Sequence, residues 1–166
     1  LDGAEAEIRQ LLGEAVFGVE DEALEDATAS LLMKHGLTIA VAESCTGGLV
    51  CDLLTNVPGI SKHLLEGVVV YTAKAKSLLT GLPEGRIEEM GTVNPELTNL
   101  LASSVRERTG ADIGLAVTGV AGPTSPGTDV PVGQVYVALA TQKDCTVKEF
   151  RFSGTRKWIK LLAAKH

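Results

Sequence analysis

Three adjacent residues that can act as nucleophiles or hydrogen-bonding groups, Ser44, Cys45 and Thr46, stand where an apolar segment ends. Gly47 and Gly48 follow them, and glycine leaves room for a ligand to approach the backbone closely. A hydroxyl or thiol in such a turn can attack a carbonyl carbon once a neighbouring base takes its proton. The same residue types also cap helices and form turns, so the segment alone predicts either a helix cap or a reactive site.

The chain has few histidines that could act as the base for such a nucleophile. His35, His63 and His166 lie in or beside predicted helices with no sign of a shared crevice, which argues against a Ser-His-Asp triad. A buried lysine can replace histidine, because loss of water lowers its pKa. Lys74 and Lys76 both follow a predicted strand, and helical periodicity does not choose between them.

A reactive turn needs elements that bring the ends of separate strands to one crevice. The apolar segment 37–42 predicts a strand, and the small-residue turn after it leads into a helix. Strands are also predicted over 67–71, which ends in Tyr71, and over 113–117, which leads into a second small-residue turn. Ligands of open α/β sheets bind beyond the carboxyl ends of strands, so we expect both turns to face one crevice, with Tyr71 able to relay or orient a proton.

The remaining pattern predicts helices on both faces of a sheet. Segment 67–71 is apolar nearly throughout, which is typical of a strand covered on both faces, and 61–66 predicts a short helix. A hairpin is predicted at a sheet edge over 133–140 and 146–152. Other helices are predicted over 4–13, up to Gly36, after Gly48, over 72–79, from Pro95 to Gly110 and from Thr155 onward. The expected fold class is α/β, as a three-layer α/β/α sandwich with a mixed, mostly parallel sheet.

Composition narrows the class of protein. The 166 residues fit one domain, and the net charge of −6 without clustered Lys and Arg argues against a nucleic-acid partner. No apolar run approaches the ~20 residues of a membrane span. The cysteines, Cys45, Cys51 and Cys145, are odd in number and lack paired spacing, so we expect neither a disulfide framework nor a metal site. Unpaired cysteines also favour a location in the reducing cytoplasm. The phosphate-binding motif Gly-x-x-x-x-Gly-Lys-Ser/Thr is also missing.

Six short motifs follow one another in a characteristic order. They are Glu43-Ser44-Cys45-Thr46-Gly47-Gly48, Val70-Tyr71 with Ala75-Lys76, Gly91-Thr92-Val93, Thr118-Gly119-Val120-Ala121-Gly122-Pro123, Pro131-Val132-Gly133, and Phe152-Ser153-Gly154-Thr155-Arg156. In order and spacing they resemble the CinA C-terminal domain family over about residues 20–160. The resemblance implies a nicotinamide-nucleotide amidohydrolase, which cleaves nicotinamide mononucleotide to nicotinate mononucleotide and ammonia without a cofactor or metal.

The resemblance also implies roles for individual residues. Ser44 would be the nucleophile, Lys76 its general base in preference to Lys74, and Tyr71 a partner in the proton transfer. The residues implied to bind substrate are Thr46, Gly47, Gly48, Thr118, Gly119, Gly122 and Arg156. Free N–H groups after Ser44 would stabilise the oxyanion, and Arg156 would suit the phosphate of the mononucleotide.

The pattern of the chain predicts an N-terminal arm or linker remnant over 1–18 before a domain over 19–166, and the resemblance implies a homodimer. Family members occur alone or behind a larger N-terminal domain, so an absent N-terminal domain is a further expectation.

Two alternatives to a serine amidohydrolase stay open. In the first, Cys45 is the nucleophile. In the second, the chain is a nucleotide-binding or assembly module of a longer protein. The second alternative depends on two departures from the family pattern: Ala73 replaces a frequent Asn, and Thr124-Ser125-Pro126 replaces a usually glycine-rich loop.

Overall fold

A computed structural model describes residues 2–13, 16–18, 21–125 and 130–166 and contains one five-stranded sheet of order β2-β1-β3-β4-β5. The strands are β1 (Ile39–Glu43), β2 (Leu64–Val69), β3 (Ile113–Gly119), β4 (Gln134–Ala140) and β5 (Cys145–Arg151). β1 pairs in parallel with β2 and β3, whereas β4 is antiparallel to both β3 and β5. Only β4 therefore runs against the other four strands, which confirms the predicted mixed sheet and the predicted hairpin.

Helices cover both faces of this sheet, which confirms the three-layer arrangement. One face carries α2 (Leu24–His35), α3 (Leu49–Thr55) and α7 (Arg156–Ala164), and the other carries α4 (Ala73–Thr80), α5 (Glu84–Met90) and α6 (Pro95–Thr109). The N-terminal helix α1 (Asp2–Leu12) precedes them, and Ile8, Leu11 and Leu12 on it are exposed. None of the described helices is long and apolar enough to cross a membrane.

Strand β1 is the centre of the core because both of its faces are covered. Ile39 and Val41 belong to the apolar cluster of α2, α3 and α7, whereas Ala40 and Ala42 belong to the cluster of α6. The alternation follows from the two-residue period of a strand. The small side chains let α6 lie close to the sheet, and a Cβ added to Gly114 of β3 would lie 2.1 Å from the Ala102 carbonyl oxygen.

Local signals fix the helix ends that the sequence predicted. Gly36 and Gly110 end α2 and α6 in the left-handed conformation, which glycine adopts at little cost. The Asn94 side chain accepts the N–H of Leu97 at the start of α6, and the Thr155 side chain accepts the N–H of Trp158 at the start of α7.

The prediction for the second strand was wrong in its bounds and its environment. β2 begins at Leu64 instead of 67, and the predicted helix over 61–66 is a single 3₁₀ turn, Ile60–Lys62. β2 lies at the edge of the sheet, where Leu65 and Val69 are about half exposed, so its two faces are not both covered. The predicted boundary at residue 19 lies outside the described residues and stays a prediction.

Candidate active site

The ends of β1, β2 and β3 lie side by side, because Glu43 pairs with Val69 on one side and with Val117 on the other. A cleft of about 210 Å³ opens beyond these ends. Its walls include Ser44 and Cys45 after β1, Tyr71 after β2 and the segment 119–122 at the end of β3. The two small-residue turns therefore face one crevice, as their positions after parallel strands predicted.

Ser44 and Lys76 are in direct contact at the base of this cleft. Lys76 Nζ donates to Ser44 Oγ at 2.9 Å and to the Val70 carbonyl oxygen at 2.7 Å. Only 1% of Lys76 is exposed, so the amine is held away from bulk water. Lys74, the other lysine that periodicity left open, is exposed on α4.

Burial lowers the pKa of Lys76 from 10.5 to about 8, because a charged ammonium is costly without water. A lysine with this pKa is partly neutral near physiological pH, and its nitrogen can then accept a proton. The pair thus has the distance and the electrostatic environment of a nucleophile with its general base.

We expect the pH profile of turnover to follow the Lys76 amine. The active form needs neutral Lys76, so kcat/KM for amide hydrolysis should rise with pH and level off above about 8. Initial rates between about pH 6 and 10 measure this. A rate that falls with pH across the same range would contradict a neutral lysine as the base.

Cys45 is the neighbouring candidate nucleophile, and its surroundings keep it protonated. Burial raises the pKa of the Cys45 thiol to about 11. Its sulfur packs against β3, where a Cβ added to Gly119 would lie 3.1 Å from Cys45 Sγ. A thiol is a poor nucleophile without its thiolate form, so the geometry favours Ser44.

Glu43 corrects the expectation that the N–H groups after Ser44 are free. Its fully buried carboxylate accepts the N–H groups of Gly48 and Val50 at 2.9 and 3.1 Å through Oε2. Its Oε1 accepts the N–H of Cys51 at 2.9 Å. The start of α3 is thus capped by protein, because a carboxylate there satisfies unpaired N–H groups and the helix dipole. The sequence interpretation missed this role, although an acidic residue shortly before a predicted helix start was a usable signal.

Tyr71 and Arg156 form a second contact at the mouth of the cleft. Arg156 donates to Tyr71 Oη at 2.8 Å and to the Gly122 carbonyl oxygen at 2.6 Å. The Tyr71 hydroxyl therefore bonds to Arg156 and not to Ser44 or Lys76, and the side chain is 57% exposed. Arg156 joins α7 to the turn after β3.

The other predicted binding residues lie at different depths. Gly119 and Gly122 line the cleft. Thr118 lies beneath it, fully buried, with its hydroxyl 2.7 Å from that of Thr98. Thr46 and Gly47 line an adjoining groove with Gly48, and this groove shares Arg156 with the cleft.

The two departures from the family pattern differ in their relation to the site. Thr124 lines the cleft, whereas Pro126 lies outside the described residues. Ala73 begins α4 and packs against the apolar cluster of α6. Among the described residues, no group of three His, Cys, Asp or Glu side chains is placed to hold a metal ion.

Fold and site together define a three-layer α/β domain in which a serine, hydrogen-bonded to a buried lysine, lies beyond the carboxyl ends of the parallel strands. The family described as CinA C-terminal domain matches residues 21–166, so the chain belongs to the CinA C-terminal domain family.

Comparisons with individual proteins agree with this membership. The chain is 42% identical over 156 residues to a CinA-like protein of Geotalea daltonii, covering 94% of this chain and 38% of that protein. It is 42% identical over 160 residues to a CinA-like protein of Kosmotoga olearia, covering 96% and 39%. The chain thus spans about two fifths of these curated relatives.

Solved structures resemble the domain over most of its length. The competence/damage inducible protein CihA of Agrobacterium tumefaciens superposes with a TM-score of 0.80 at 30% identity, covering 86% of this chain and 87% of that one. The competence damage-inducible protein A of Klebsiella pneumoniae gives a TM-score of 0.81 at 26% identity, covering 86% and 88%.

Proposed function

We propose that this domain is an amidohydrolase that converts nicotinamide mononucleotide and water to nicotinate mononucleotide and ammonia. The observation that carries the proposal is the 2.9 Å contact between Lys76 Nζ and Ser44 Oγ, with Lys76 excluded from solvent. The choice of substrate comes from the family resemblance, which implies nicotinamide-nucleotide amidohydrolases.

The chemistry follows from the serine–lysine contact. Ser44 Oγ attacks the carboxamide carbon while its proton passes to neutral Lys76, which gives a tetrahedral oxyanion. The Lys76 ammonium then protonates the departing nitrogen, so that ammonia leaves and an ester to Ser44 remains. Water attacks this ester while Lys76 accepts its proton, and the Lys76 ammonium then returns that proton to Ser44 Oγ as the carboxylic acid leaves.

The oxyanion needs a hydrogen-bond donor. The N–H of Cys45 belongs to the residue after the nucleophile, and it is not among the three N–H groups that bond to Glu43. We assign this N–H to the oxyanion.

The proposal also covers the cellular location and the oligomeric state of the domain. Cysteine usage favours a reducing cytoplasm, and the family resemblance favours a homodimer, whose oligomeric state light scattering of the purified protein measures. The proposed reaction uses neither a metal nor a cofactor.

A second candidate is a nucleotide-binding or assembly module within a longer CinA-like protein. Thr124 favours it, because a side chain in the wall of the cleft can reshape the substrate pocket. Such a module would retain mononucleotide binding without turnover.

One experiment separates the two candidates. Purified protein is incubated with nicotinamide mononucleotide while ammonia and nicotinate mononucleotide are quantified, and calorimetry measures binding of the same compound. Equal amounts of both products support the amidohydrolase, whereas binding with no product supports the module. The Ser44→Ala protein is the matched blank for contaminating amidases.

A further inference from the structure

The groove beside the cleft carries an excess of positive charge that the proposed chemistry does not use. It has a volume of about 720 Å³ and lies along Thr46 and Gly47 of the turn after Ser44. Arg156, Lys157 and Lys160 from α7 line it, against a single lining carboxylate, Asp52. The groove therefore suits an anion.

Arg156 is already bonded to the protein. Its two terminal nitrogens donate to the Gly122 carbonyl oxygen and to Tyr71 Oη. Lys157 and Lys160, by contrast, take part in no ion pair or hydrogen bond found among the described residues. Lys160 is four residues after Arg156 and so lies on the same side of α7. Among the cations that line the groove, the two lysines are therefore the ones without a protein partner in the described part of the chain.

Lys160 stands directly beside the turn. A Cβ added to Gly47 would lie 3.3 Å from Lys160 Nζ, so the ammonium lies against the bare backbone of that residue. Gly47 has a φ of 64°, the left-handed conformation that glycine readily adopts.

A second observation points to a ligand at this place. Thr46 is fully buried, and its hydroxyl has no hydrogen-bond partner in the described part of the chain. Buried polar groups are nearly always paired, so an unpaired hydroxyl in the wall of a cationic groove indicates a missing acceptor or donor. A phosphate oxygen accepts hydrogen bonds from both a hydroxyl and an ammonium.

We propose that this groove binds a phosphate group and that Lys160 is its main contact, with Lys157 and the Thr46 hydroxyl in support. The inference rests on the proposed function in one respect, namely that the phosphate belongs to the mononucleotide whose carboxamide lies at Ser44. Ser44 and Gly47 are three residues apart, which spans at most about 10 Å, so one mononucleotide reaches both places. Lys160 thus sets the preference for nucleotides over nucleosides.

The test uses ribose 5-phosphate, which carries the phosphate but no amide. Calorimetry should show weaker binding by Lys160→Gln than by the unsubstituted protein, by about 10- to 100-fold, the range of a hydrogen bond to a charged group. Lys160→Arg should keep most of the affinity. Lys143→Gln is the matched control, since Lys143 lies in the β4–β5 turn at the opposite end of the sheet. Equal affinity of the unsubstituted and Lys160→Gln proteins would overturn the proposal.

A kinetic arm links the groove to the reaction. The ratio of kcat/KM for nicotinamide mononucleotide to that for nicotinamide riboside should fall in Lys160→Gln, chiefly through KM for the mononucleotide. A ratio that stays unchanged would remove Lys160 from substrate recognition. Binding of ribose 5-phosphate through Lys160 without ammonia release would defeat the proposed function and leave the phosphate site standing. Ammonia release that Lys160→Gln does not affect would defeat the phosphate site and leave the proposed function standing.

Discussion

Replacing Ser44 with alanine should lower ammonia release from nicotinamide mononucleotide by at least about 10³-fold, because no other hydroxyl of the described residues is hydrogen-bonded to the Lys76 amine. Lys76 Nζ donates to Ser44 Oγ at 2.9 Å, and the Thr46 side chain lines the adjoining groove. The measurement is single-turnover and steady-state ammonia release on purified protein, with circular dichroism as a check on folding.

Cys45→Ala is the matched control for the Ser44 substitution. The thiol adjoins Ser44 and is held protonated by burial, which raises its pKa to about 11. We expect Cys45→Ala to keep kcat within about threefold, because the oxyanion donor assigned at this position is the backbone N–H, which alanine retains. Loss of turnover in Cys45→Ala together with persistence in Ser44→Ala would transfer the nucleophile to the thiol.

Replacing Lys76 with methionine should lower kcat by about 10²- to 10⁴-fold, the contribution of a positioned general base. Lys76 is 1% exposed, and methionine fills a similar volume without a charge. Two effects on stability oppose each other. The hydrogen bonds to Ser44 and Val70 are lost, while the cost of burying an ammonium disappears. The thermal midpoint should therefore change little.

Lys74→Met separates the chemical role of Lys76 from a general loss of positive charge on α4. Lys74 lies two residues earlier and is exposed, so its replacement should leave the rate nearly unchanged. The pH profile gives a second criterion, since the rise in rate toward pH 8 should vanish in Lys76→Met and persist in Lys74→Met. Equal rates of Lys76→Met and the unsubstituted protein would end the assignment of the base.

Glu43 and Lys76 illustrate how the site is held by two buried charged groups of opposite sign. Glu43 is satisfied by three N–H groups at the start of α3, which fixes the turn that carries Ser44. Lys76 has only a hydroxyl and one carbonyl oxygen as acceptors, and burial lowers the pKa of its amine to about 8. The difference in partners explains why one group serves the structure and the other is suited to proton transfer.

Much of the fold followed from local signals in the sequence. Gly36, Gly110 and the pair Asn94-Pro95 fixed helix ends, because capping depends on the residues at the helix end itself. The small-residue turns after β1 and β3 identified the edge of the sheet where the cleft opens, since the carboxyl ends of parallel strands meet there.

Other features depended on contacts between distant segments. The sequence pattern predicts β2 too late in the chain and covered on both faces, because an apolar run looks alike in a central and an edge strand, and only the strand order distinguishes them. Helix α5 was not predicted at all, since it is short and buries a single residue, Ile87.

The sequence by itself determined which side chains could react and where the chain turns, because residue type and capping are local properties. Helical periodicity could not distinguish Lys74 from Lys76, which flank Ala75 symmetrically on α4; the family resemblance favoured Lys76, and the tertiary structure supplies the physical reason. The choice depends on how α4 rotates against the sheet. That rotation is set by packing against residues far away in the chain, and it buries one amine against Ser44 while leaving the other in water.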